Sequence, residues 1–119
     1  MRSEPKYYLF FIFAFCSLFC SSQTLKIDSL LVLLKKDKED TNKVIHLNKI
    51  TFALYSSNPD STILLTQQSA SLARKINYPK GEASAYNNAG IAYHIKGDYP
   101  NALSNYLKAL KIDEGLKDK

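Results

Sequence analysis

Between Tyr86 and Leu110, small and aromatic residues fall at spacings that leave a chain few choices. Tyr86, Ala89, Gly90 and Tyr93 stand at steps of three, one and three, which places them on one stripe of a helix. Gly97-Asp98 then makes a turn, and Ala102, Tyr106, Ala109 and Leu110 resume helical spacing on a second helix. Small residues at Ala89, Gly90, Ala102 and Ala109 let two antiparallel helices approach closely, while the tyrosines fill the space beside them. The expected unit is therefore an all-α hairpin with a tight seam.

The order aromatic, small-glycine, tyrosine, alanine, aromatic, alanine resembles the tetratricopeptide repeat (TPR) pattern. Tyr86 stands where that family usually has tryptophan and Ala89 where it has leucine, and no proline occurs near Glu114-Gly115, where one often closes the repeat. The resemblance implies a fold of antiparallel helix hairpins stacked as a short TPR solenoid. It implies a protein-interaction scaffold, not an enzyme, with Tyr86, Ala89, Gly90, Tyr93, Ala102, Tyr106 and Ala109 as repeat-packing residues.

A chain of 119 residues allows one domain at most, and its beginning reads as a targeting segment. Arg2 and Lys6 precede an almost unbroken apolar run from Tyr7 to Phe19, and Cys20-Ser21-Ser22 supplies small residues before Gln23. Basic start, short apolar centre and small-residue cleavage site are the order of a secretory signal peptide, expected over residues 1–22. The run is shorter than the roughly 20 residues that span a bilayer, so the leader is expected to be cleaved and the protein exported to a periplasmic or other extracytoplasmic space. It would be membrane-anchored if the leader stays. Cys16 and Cys20 both lie in this segment. A lipid-modified Cys20 is the alternative, but bulky Phe19 beside it suits that cleavage poorly. Loss of the leader removes every cysteine, and with them disulfides, thiol catalysis and cysteine metal sites.

Without residues 1–22 the net charge falls from +5 to +4. Lys35-Lys36-Asp37-Lys38-Glu39-Asp40 mixes signs, as a solvated helix end and linker does. Arg74 is the only arginine after Arg2, so the clustered arginines of a nucleic-acid site are missing and no nucleic acid is expected as partner.

Residues 23–40 read as an N-terminal helix and linker. Leu25, Ile27, Leu30, Leu31, Val32, Leu33 and Leu34 are its apolar positions, Asp28 and Ser29 suit its start, and the lysines suit its end. Residues 41–119 read as about two TPR units, 41–77 degenerate and 82–114 strong. Asp40-Thr41-Asn42 opens the first, and Val44, Ile45, Leu47, Ile50, Phe52, Leu54 and Tyr55 follow with helical spacing. In the Ser56–Ser61 turn, Pro59 is expected to end one helix and Asp60 or Ser61 to cap the next. The second helix runs to about Ile76, Asn77–Gly81 breaks it, the helix with Tyr86 starts near Glu82, and the last starts near Tyr99 with Pro100 in its first turn. The halves align at an interval of 40 residues, against 34 for the repeat class. Thr51 falls where Gly90 stands, and Thr62 near the place of Ala102.

The leader, the Asp28-Ser29-Leu30-Leu31 helix, Asp40–Val44 and Asn58-Pro59-Asp60-Ser61 together resemble the start of exported bacterial TPR sensor proteins. In such proteins several repeats precede a membrane helix and an output module, often a histidine kinase or a DNA-binding region. The resemblance implies the N-terminal sensing or assembly part of a signalling protein. The alternative is a structural or membrane-peripheral protein held at a lipid surface by its N-terminal segment, the only part expected to touch a membrane.

No cofactor or metal is expected. His46 and His94 are the only histidines, and only Asp98 lies near either at ligand spacing, so both read as surface residues. No serine-histidine-aspartate signature or paired carboxylates stand out. The expected binding face is the inner side of each unit's first helix. Asn48, Phe52 and Tyr55 would form one stripe and Asn87, Ile91 and His94 the other, with the two asparagines bonding the backbone of an extended protein or peptide partner. Residues 113–119 are too short for another helix, so the final helix is expected to leave an apolar stripe exposed. That stripe would meet further repeats of a longer protein, a partner, or a second copy.

Overall fold

The computed structural model describes residues 28–118, all of its regular structure being helical. The expected signal peptide, both cysteines, Leu25 and Ile27 lie outside the described residues. The first helix, α1, is described over 28–36. It is followed by α2 (Thr41–Leu54), α3 (Pro59–Lys75), α4 (Pro79–Ile95) and α5 (Tyr99–Lys117). Each of α3, α4 and α5 packs on the helix before it, and α4 also touches α2. This is the stacking of a TPR-type helical solenoid.

Local chemistry sets the helix limits. The Asp40 carboxylate accepts from the amides of Asn42 and Lys43 and caps α2. The Asn58 side chain accepts from the Ser61 amide and Asp98 from the Asn101 amide, capping α3 and α5. Pro59 opens α3 instead of ending α2, and the cap is Asn58, not Asp60 or Ser61. Proline has no amide hydrogen to lose in a first turn, so it begins helices as readily as it stops them. The same reason moves the start of α4 from Glu82 back to Pro79. Asn77 and Gly97, both at positive φ, end α3 and α4 in the left-handed conformation that closes a helix. After each, the next amide returns to a carbonyl five residues back, Tyr78 to Ala73 and Asp98 to Tyr93. Residues 113–117 prolong α5.

The interior is built mainly from small side chains. Val44, Leu47 and Ile50 of α2 are its large buried members, while α3, α4 and α5 contribute Ala70, Ala73, Ala83, Ala85, Ala89, Ala92, Ala102 and Ala109. Thr51, Thr62, Thr66 and Ser69 are buried among them. A Cβ placed on Gly90 would lie 2.6 Å from the Tyr106 ring, so α4 and α5 touch where the spacing puts their seam. Gly81, expected in a linker, sits inside α4. A Cβ there would lie 2.4 Å from the Tyr78 ring and 2.6 Å from Val44, which brings α4 hard against α2.

On α5 the side away from this interior carries Leu103, Leu107 and Leu110, which are 58%, 54% and 52% exposed. Among the described residues no helix is long and apolar enough to cross a membrane.

Gly90→Ala is expected to destabilise the fold by about 1–2 kcal/mol, because overpacking against Tyr106 outweighs the roughly 1 kcal/mol gained in helix propensity. Gly115→Ala, whose added methyl meets open space, is expected to be neutral or to stabilise by up to about 1 kcal/mol. Denaturant unfolding followed by circular dichroism measures both. A stabilising Gly90→Ala would refute the tight α4–α5 seam.

Candidate functional site

A groove of about 700 Å³ opens between α1, α2 and the first half of α4. Ser29 and Leu30 of α1 form one wall, and Ile45, Lys49, Phe52 and Ala53 of α2 form the next. Tyr78, Gly81, Ser84 and Asn88 close the far side, with Asn48 at the base. Ile45, Lys49 and Phe52 follow at four and three residues, one row of a helix surface. Phe52 is 61% exposed there, its ring 5.4 Å from that of Tyr55. Lys49 is the only charged side chain among the described lining residues.

The polar groups at the base serve the fold. Asn48 Nδ2 donates to the Gly81 carbonyl at 3.0 Å, and Asn48 Oδ1 accepts from Ser69 Oγ at 2.6 Å. Asn88 Nδ2 donates to the Asn48 carbonyl at 3.1 Å and to Thr51 Oγ1 at 2.8 Å. One asparagine of α2 thus ties α3 and α4, and one of α4 ties back to α2. Among the described residues no buried side-chain polar atom lacks a partner.

The structure brings Asn48 and Phe52 into one groove but not with the other four expected face residues. Tyr55 caps the C-terminal end of α2, Asn87 is exposed, Ile91 is half-buried, and exposed His94 sets its ring 5.3 Å from Tyr99. None of these four lines the groove. The asparagine that faces α2 is Asn88, one residue and about 100° of helix turn from Asn87. Of the lining residues absent from the expected face, Ile45 and Lys49 had a legible signal in their spacing with Phe52. Tyr78 and Gly81 had none while residues 77–81 read as a linker.

His46 corrects a second reading. It is partly buried, and its Nδ1 pairs with Asp37 Oδ2 at 2.5 Å, which fastens the end of α1 to α2. Outside the groove, Arg74 in the last turn of α3 bonds Glu82 at 3.0 Å and the Tyr86 hydroxyl. Burial, followed by the nearby Glu82 carboxylate, raises the Tyr86 phenol above its ordinary value against the pull of Arg74. The hydroxyl donates to Glu82 at 3.2 Å. Among the described residues no group of three or more histidines, cysteines and carboxylates is placed to hold a metal.

Asn88→Ala is expected to cost about 1–3 kcal/mol, the penalty of breaking a buried hydrogen-bonded amide. Asn87→Ala, at an exposed position, is expected to change stability by less than about 0.5 kcal/mol. The pair Asn48→Ala with Asn88→Ala should cost less than the sum of the singles, because both act on one network. Equal losses at 87 and 88 in thermal unfolding would refute the assignment.

No curated protein and no solved structure matches this chain. The family model of the tetratricopeptide repeat matches residues 83–116, the span from the buried part of α4 to the end of α5. Over that span the chain is similar to a tetratricopeptide repeat, a unit that mediates protein–protein interaction.

Proposed function

We propose that this chain is a non-enzymatic protein-interaction scaffold, exported across a membrane, and the N-terminal sensing or assembly part of a bacterial TPR signalling protein. The observation that carries the scaffold reading is the exposed Phe52 beside Ile45 in the groove, above a base whose Asn48 and Asn88 amide nitrogens are bonded within the fold. An apolar side chain displayed over a satisfied polar floor can gain by burial against a partner without stripping water from buried polar groups. Export is supported by the leader-like order of residues 1–22, and the signalling role by the succession of leader, leucine-rich helix and repeats.

Two further contacts have their own support. The Leu103–Leu107–Leu110 stripe offers a face for self-association. Leu31, Val32 and Leu33 of α1 are exposed as well, which favours, as the alternative, a protein held at a lipid surface by its N-terminal segment.

A photo-crosslinking side chain placed at Ala53 is expected to capture a partner protein, and Phe52→Asp to reduce that capture at least about tenfold, as loss of a central apolar anchor does. Unchanged capture would overturn the groove as the binding face. Sequencing the mature N-terminus of fractionated cells tests export. A start near Gln23 in a soluble extracytoplasmic fraction is expected, and an intact leader in the membrane fraction would favour the lipid-surface alternative.

A further inference from the structure

The groove's polar atoms restrict what it can hold. An extended segment brings unpaired amides and carbonyls at every residue, and a site that holds one must answer them. Here the side-chain amide of Asn48 is engaged by Gly81 through one N–H and by Ser69 through its oxygen, and both N–H groups of the Asn88 amide go to Asn48 and Thr51. The accessible lining is chiefly apolar: Phe52 and Ala53 are exposed and Leu30 and Ile45 half-buried, with Lys49 and the hydroxyl residues Ser29 and Ser84 exposed around them. A helix meets its backbone requirement internally and asks of a groove only apolar contact and matching charge. The Ile45–Lys49–Phe52 row is a helix ridge of the kind that packs against another helix, and α1 already lies beside it with Leu30 in the wall. Lys49 has no ion-pair partner among the described residues, and no carboxylate lines the groove.

We infer that the groove between α1, α2 and α4 receives an amphipathic helix of a partner protein, with leucine- or phenylalanine-sized residues on its buried face and a carboxylate at its edge against Lys49. The inference rests on the scaffold reading above and specifies its partner. Phe52 and Ile45 supply the apolar contact, and Lys49 sets the sign of the accepted charge.

Three labelled 16-residue peptides test it by fluorescence anisotropy against the full chain. The first has leucines at helical spacing with alanine and glutamate elsewhere. The second carries lysine for glutamate, and the third has the composition of the first with two central prolines. The first is expected to bind at least about tenfold more tightly than either of the others. Phe52→Ala should weaken it about tenfold, and Lys49→Glu should reverse the order of the first two. Lys111→Glu, on α5 outside the groove, should change the first by less than about twofold, which separates local from net charge. Tighter binding of the proline peptide would overturn the inference in favour of an extended occupant. A preference for lysine, or equal effects of Lys49→Glu and Lys111→Glu, would overturn its charge assignment. A dimer in sedimentation that Phe52→Ala dissolves, without peptide binding, would overturn it in favour of a second copy. If no peptide binds but the Ala53 crosslink still captures protein, the helix inference fails and the scaffold reading stands. If both fail, both readings fall.

Discussion

Two asparagines hold this structure in register. Asn48 reaches from α2 to Ser69 on α3 and to the Gly81 carbonyl on α4, and Asn88 reaches back from α4 to α2. The surrounding interior is largely alanine, threonine and serine, with Val44, Leu47 and Ile50 as its large members and the Gly90–Tyr106 approach as its tightest α4–α5 contact. Directional hydrogen bonds add to that packing. A shift of one residue would leave these amides unpaired away from water, and that penalty selects a single stacking.

Much of the architecture could be read from the residues before any coordinates. The Ala89-Gly90 and Ala102–Tyr106 spacings announce a close α4–α5 hairpin, and the Gly90–Tyr106 approach lies at that seam. Helix limits were legible where a side chain caps, as at Asp40, and misleading where proline stands, since Pro59 and Pro79 begin helices. The groove was only half legible. Periodicity places Asn87 and Asn88 on neighbouring stripes, but which one meets α2 depends on how α4 rotates when Gly81 packs on Val44. That rotation is a tertiary event with no mark in the local sequence.

Both ends of the stack carry exposed apolar surface. At the front, α1 is fastened by the His46–Asp37 pair and contributes to the groove wall. At the rear, α5 turns three leucines outward. Charged ties such as Lys96–Asp60 and Glu39–Lys75 lie on the exposed flanks, where solvent and salt weaken them. They guide the helices without supplying most of the cohesion, which rests with the buried seams.

Gly81 belongs both to the α2–α4 seam and to the lining of the groove. The aperture offered to a ligand is thus governed by a residue that has no side chain to offer. Recognition and scaffold geometry share one contact point, and any change of residue there would alter the shape of the opening before it altered its chemistry. A single added methyl at Gly81 would press on Tyr78 and Val44, so the outline of the opening and the α2–α4 contact cannot change independently.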